Sequence, residues 1–198
     1  MLLPNQLTVL RIILTPIFIL LFLSDDPLLI QISLGVFLIA ALTDWYDGWL
    51  ARKFNYITEW GKFMDPLADK FLTSTAFFGF VFIGILNFWM VLAIVFRDFL
   101  ITLLRAYADY RKVSFTTSKL AKWKTFSQMF FLYYLLILYT LRTIPSLYES
   151  YTTLFLSLLD QQFIFWTMLA ISSFTVFTGI TYLISNRTLI KQIFTRAH

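Results

Sequence analysis

Six mostly apolar runs, each near the length needed to cross a bilayer, are joined by short polar connections in this chain. A helix needs about 20 residues to span a hydrocarbon core of roughly 30 Å. Water is absent there, so backbone N–H and C=O groups must pair within the segment, and helices satisfy that demand. The expected fold is therefore all-α: an integral membrane bundle of six transmembrane helices, with residues 1–198 forming one domain. Composition agrees, since a mean hydropathy of +0.76 with 59% hydrophobic and only 14% charged residues lies outside the ordinary soluble range.

The runs predict helices at about 5–23, 28–51, 65–85, 88–110, 122–141 and 163–184. Pro4 opens the first, and the Ser24-Asp25-Asp26-Pro27 turn closes it. Asp65 followed by Pro66 reads as an N-cap and first helical position, which would start the third helix there. The N-terminus has no basic region ahead of its apolar stretch, and Arg11 interrupts that stretch, so the first span is expected to be retained. Cysteine is absent, which excludes thiolate chemistry and disulfides. The one histidine, His198, is the last residue and reads as terminus rather than ligand.

Charge placement predicts orientation. With the N-terminus inside, the cytoplasmic connections carry Arg52, Lys53, Lys62, Arg111, Lys112, Lys119, Lys122 and Lys124, and the tail adds Arg187, Lys191 and Arg196. The outer connections carry Arg142 alone beside Asp25, Asp26, Glu149 and Asp160. That asymmetry follows the positive-inside rule. The net charge of +5 is accounted for by topology and anionic headgroups, and nucleic acid is not an expected partner.

Four acids stand out against this background: Asp44-x-x-Asp47-Gly48-x-x-Ala51-Arg52, eight residues, then Gly61-x-x-x-Asp65-x-x-x-Asp69. Carboxylates at membrane depth are costly unless a cation or a function compensates them. Asp44 and Asp47 are three apart, Asp65 and Asp69 four apart, so each pair shares a helix face. A thirteen-residue loop would let the two helices run antiparallel with those faces opposed. Oxygen donors without histidine or cysteine favour a hard divalent ion, Mg²⁺ or Mn²⁺, with Ca²⁺ as a further option. Four acids could hold two ions, an arrangement suited to clamping a phosphoryl group. Gly48 and Gly61 would admit a bulky ligand or a close helix, and Arg52 offers a planar fork to phosphate.

The full pattern, D-x2-D-G-x2-A-R-x8-G-x3-D-x3-D, resembles that of the CDP-alcohol phosphatidyltransferases, and every fixed position is present. The likeness extends to the bacterial branch that uses glycerol 3-phosphate. It rests on Leu3-Pro4-Asn5-Gln6-Leu7-Thr8 with Arg11, on Gly61 to Lys70, on Arg97-Asp98-Phe99 with Arg105, and on Ser118 to Thr125. One departure is Ala121, where that branch often has glycine. The resemblance covers about residues 3–126 well and the last third in hydropathy only.

That resemblance implies a six-helix membrane enzyme of the CDP-alcohol phosphotransferase type, homodimeric, in the bacterial cytoplasmic membrane with its site facing the cytoplasm. Asp44, Asp47, Asp65 and Asp69 would bind the metal. Asn5, Thr8, Asp44, Gly48, Ala51, Arg52, Gly61 and Asp65 would hold the cytidine diphosphate of CDP-diacylglycerol. Asp69 would also act as general base toward the acceptor hydroxyl of sn-glycerol 3-phosphate.

An acceptor that carries phosphate needs its own cationic pocket. Arg97 and Arg105 are eight apart, about two turns, and so lie on one face of their helix. Lys122 and Lys124 could join them. The competing reading is that Arg97 pairs with Asp98 or Asp109 within the bundle and that the lysines serve topology. Inositol phosphate, phosphatidylglycerol (as in a cardiolipin synthase) and serine are alternative acceptors. A divalent-cation transporter is disfavoured, because the sequence shows no related halves and no broken midmembrane helices.

Overall fold

The computed structural model describes residues 3–54, 59–111 and 119–190, with the side chains of 3–5, 45, 47–52, 54, 59–63 and 119 outside that description. All regular structure in the described residues is helical. Six long helices dominate: α1 (Leu3–Phe22), α2 (Pro27–Phe54), α3 (Glu59–Phe82), α4 (Phe88–Tyr110), α5 (Lys119–Arg142) and α8 (Gln161–Ser185). Two short helices, α6 (Pro145–Ser150) and α7 (Thr152–Leu158), lie between α5 and α8. Pro145 at the start of α6 supplies a preset φ and lacks only an N–H that a first turn leaves unpaired anyway. Among the described residues, two stretches are long and apolar enough to cross a membrane, Pro27–Asp44 and Thr152–Ser185.

Chain punctuation follows local chemistry. Gly84, at φ 79°, ends α3 in the left-handed region, where a Cβ is disfavoured. The Ile85 N–H bonds back to the Phe80 carbonyl at 2.9 Å and the Gly84 N–H to that of Val81 at 3.0 Å, the paired bonds of a Schellman stop. Asn87 caps α4 by accepting from the Trp89 N–H at 3.1 Å, and Asp160 caps α8 by accepting from Phe163 at 2.9 Å.

The third helix differs from the expectation. It begins at Glu59, so Asp65 and Pro66 lie inside it rather than at its start. Residues 59–64 include no proline, and the helix continues through Pro66 at the cost of the one bond its missing N–H would make. The predicted thirteen-residue connection is accordingly overturned in its outer parts, since residues 52–54 and 59–64 are helical; residues 55–58 lie outside the described residues.

Aromatic side chains of α1, α2 and α3 form one part of the core, which aliphatic residues of α4, α5 and α8 complete. Phe18, Phe22, Phe37, Phe77 and Phe80 are all essentially sealed from solvent. Phe22 sits 5.4 Å from Phe18 and 5.1 Å from Phe80, centroid to centroid. In lipid, such packing rather than escape from water favours association. Gly79 permits the close approach of α1 and α3, since a Cβ there would meet the Phe22 ring at 2.9 Å. α1 packs on both α2 and α3, while α4 joins α3 to α8 and α5 closes against α8.

Candidate active site

Two adjoining regions meet at Asp69. The first is assembled by α1, α2 and α3. Arg11 on α1, completely buried, places Nη1 2.8 Å from Asp44 Oδ1 on α2. Thr8, one turn earlier and equally buried, donates its hydroxyl hydrogen to Asp65 Oδ1 on α3 in a short hydrogen bond. Asp65 and Asp69 lie close enough for their charges to act on Asp44. One helix thus supplies a cation to the first acid and a donor to the third. A buried arginine is tolerated here because a carboxylate answers it.

Asp44 keeps 44% of its side chain accessible despite that pairing, so it retains lone pairs for another partner. Asp47, Gly48, Ala51 and Arg52 continue the α2 helix, and Gly61 and Asn5 belong to α3 and α1; their side-chain arrangement lies outside the described residues. Among the described residues no three acids form a ready metal cage. The donor chemistry nonetheless suits a hard divalent ion, because Asp44, Asp65 and Asp69 offer carboxylate oxygen alone and outnumber the cations paired with them, Arg11 and Lys70.

The second region is a cavity of about 220 Å³ bounded by α3, α4, α5 and α8. Asp69, Lys70, Arg97, Asp98, Arg105 and Asp109 supply its charged lining. Arg97 and Arg105 therefore face one space, two turns apart on α4. Arg105 is exposed, with its guanidinium carbon 5.8 Å from the centre of the Tyr182 ring. Lys70 extends from α3 with Nζ 3.3 Å from Asp69 Oδ2 and 4.0 Å from Asp98 Oδ2.

Asp98, 3% exposed, is the hub of this second region. Its Oδ1 accepts from Arg97 Nη1 at 3.0 Å and from Lys124 Nζ in a short ion pair. Arg97 Nη2 also donates to Thr178 Oγ1 on α8 at 3.3 Å. Gly179 makes room for that arginine: a Cβ at Gly179 would lie 2.8 Å from Arg97 Cγ.

The four candidate acceptor cations are thus placed differently from one another. Arg97 and Arg105 line the cavity. Lys124 is 1% exposed and turned to Asp98, so its ammonium does not present itself to the cavity. Lys122 is exposed on α5 and is not part of the lining. Arg97 does pair with Asp98, as the competing reading had it, yet it borders the cavity as well. Sequence reasoning assigned no site role to Lys70 or Arg11 and took Asp98 only as an alternative partner of Arg97. The available signal was an acid in mid-helix with basic residues on neighbouring runs.

A polar floor of carboxylates adjoins this cavity of mixed charge, in a chain that is strongly apolar and, among the described residues, all-helical. The chain belongs to the CDP-alcohol phosphatidyltransferase family, a family of transferases, whose model matches residues 1–177. It is 40% identical over 135 residues to a Rickettsia typhi protein named CDP-diacylglycerol–glycerol-3-phosphate 3-phosphatidyltransferase, covering 68% of this chain and 76% of the relative. A Bacillus subtilis protein of the same name is 38% identical over 139 residues, covering 64% and 72%. A third of that name, from Wigglesworthia glossinidia brevipalpis, is 35% identical over 179 residues and spans 82% of this chain and 94% of its own.

Proposed function

We propose that this protein transfers the phosphatidyl group of CDP-diacylglycerol to sn-glycerol 3-phosphate, giving phosphatidylglycerol phosphate and CMP. The supporting observation is the position of Asp69: it belongs to the acid pattern on one side and to the lining of the Arg97–Arg105 cavity on the other. A base so placed touches both substrates, as transfer between them requires.

Asp44, Asp47, Asp65 and Asp69 would hold magnesium or manganese, two ions by the number of acids, and the metal would supply positive charge to the diphosphate of the nucleotide lipid. Asn5, Thr8, Gly48, Ala51, Arg52 and Gly61 surround the cytidine diphosphate, and Thr8 holds Asp65 in place for it. Arg97, Arg105 and Lys70 receive the acceptor's phosphate. Lys124 contributes through Asp98, and Lys122 adds positive potential at the mouth. Asp69 takes the proton of the acceptor hydroxyl. The acceptor oxygen then bonds to the β-phosphorus, and the bridging P–O bond breaks to release CMP.

The six long helices cross the bacterial cytoplasmic membrane, with the N-terminus and site on the cytoplasmic side, and two chains associate as a homodimer. The test is to purify the protein in detergent and supply CDP-diacylglycerol with glycerol 3-phosphate, inositol phosphate, phosphatidylglycerol or serine. CMP release and the lipid product are followed by mass spectrometry. Phosphatidylglycerol phosphate is the expected product, and turnover with another alcohol in preference to glycerol 3-phosphate would reject the assignment.

A further inference from the structure

The charged lining of the acceptor cavity is balanced: three cations, Lys70, Arg97 and Arg105, face three acids, Asp69, Asp98 and Asp109. A balanced pocket has little net attraction for a doubly charged phosphate. Asp98 is the acid that least resembles a ligand for anything entering the cavity, since it is 3% exposed and surrounded by cations. Its Oδ1 takes Arg97 at 3.0 Å and the sealed ammonium of Lys124, while its Oδ2 lies 4.0 Å from Lys70. Lys124, behind the wall, cancels the charge of Asp98 and leaves the lining with a surplus of one cation.

From this arrangement we infer that Asp98 is a positioning residue, fixing Arg97 and Lys70 in the geometry that receives the phosphate of the acceptor alcohol. The inference rests on the acceptor reading given above and adds to it the residue that organises the pocket. Three helices contribute: Asp98 and Arg97 come from α4, Lys70 from α3 and Lys124 from α5. Arg97 is gripped from the far side as well, by Thr178 at 3.3 Å and by the absence of a side chain at Gly179. Without such fixation, two long side chains would have to surrender rotamer freedom on binding each acceptor.

Charge alone and geometry predict opposite signs. Removing the carboxylate makes the cavity more positive, so electrostatic attraction alone would tighten anion binding and lower the acceptor KM. Loss of positioning raises it. The variants are Asp98→Asn and the double variant Asp98→Asn with Lys124→Gln; the double keeps the net charge and avoids an unanswered buried ammonium.

Steady-state kinetics in detergent are measured at varied glycerol 3-phosphate and, separately, at varied CDP-diacylglycerol. Stabilisation of each protein by glycerol 3-phosphate is read from the thermal midpoint. The acceptor KM is expected to rise about tenfold or more in both variants, with the CDP-diacylglycerol KM within about twofold of the parent's and the glycerol 3-phosphate stabilisation lost. An acceptor KM that falls or stays level in the double variant overturns the inference, as does an equal rise in both KM values. If the single variant does not fold, the double variant decides. A parent protein that releases no CMP with glycerol 3-phosphate refutes the acceptor reading, whereas an active parent with insensitive variants refutes only the role of Asp98.

Discussion

Arg11 on α1 and Asp44 on α2 form an ion pair at 2.8 Å in which the arginine is wholly buried and the aspartate 44% accessible. The pair is lopsided: the cation is committed to the protein interior, while the anion still faces the site. Arg11→Met is therefore expected to destabilise the protein by about 1–3 kcal/mol in the absence of divalent ions, given that Asp44 is partly solvated. Saturating Mg²⁺ should recover part of that loss by answering the same carboxylate. Thermal unfolding in detergent, with and without the ion, measures it; an unaltered midpoint would show that the pair contributes nothing.

Asp69→Asn should lower kcat by about 10²–10⁴, the usual contribution of a positioned general base. Binding of CDP-diacylglycerol should remain detectable, because other groups hold the nucleotide. Near-normal turnover in this variant would remove Asp69 from the chemistry.

Asp47→Asn is expected to abolish turnover through lost metal binding without unfolding the chain. Activity of the parent should vanish in EDTA and return on adding Mg²⁺ or Mn²⁺. Catalysis that continues undiminished with chelator present would dismiss the metal from the reaction.

Arg105 lines the cavity without the ion pair to Asp98 and the interhelical hydrogen bond to Thr178 that tie Arg97 down. Arg105→Ala should thus raise the acceptor KM by about tenfold, the value of a charged hydrogen bond to phosphate, with little change for CDP-diacylglycerol. An unchanged acceptor KM would show that the phosphate is held elsewhere.

Gly179→Ala offers a probe that alters no charged group of its own. Its new methyl would lie 2.8 Å from Arg97 Cγ, near the base of that side chain rather than at its mobile end. Arg97 must move, and the acceptor KM should rise about three- to tenfold while the fold survives, as for modest overpacking. Gly35→Ala is the control, because a Cβ there meets nothing within 4 Å. Equal kinetics for the two variants would mean that the position of Arg97 is immaterial.

Much of this architecture is legible in the residues themselves, and the gaps have physical causes. The ends of α4 and α8 follow from Asn87 and Asp160, whose side chains cap them. Asp65-Pro66 misleads because the pair suits a helix start, yet a proline inside a long packed helix forfeits only one bond, which tertiary contacts outweigh. α6 and α7 escape notice because neither is long enough for a spanning pattern. The acid spacing is explicit in the chain, and so is the α4 arginine pair. What a linear pattern cannot reveal is which basic residue meets which acid: Asp98 finds Lys124, 26 positions away, only once α4 and α5 are packed.

Asp65, Asp69 and Lys70 all ride on α3, which packs against α1 and α2 and also against α4 and α5. The helix works like a shared axle. A single-residue insertion or deletion between 65 and 70 would turn Lys70 by about 100° relative to Asp65 while leaving hydropathy untouched. On the proposed assignment, α4, α5 and α8 would be the helices to rebuild for a different alcohol, since Asp44 and Asp65 lie on α2 and α3.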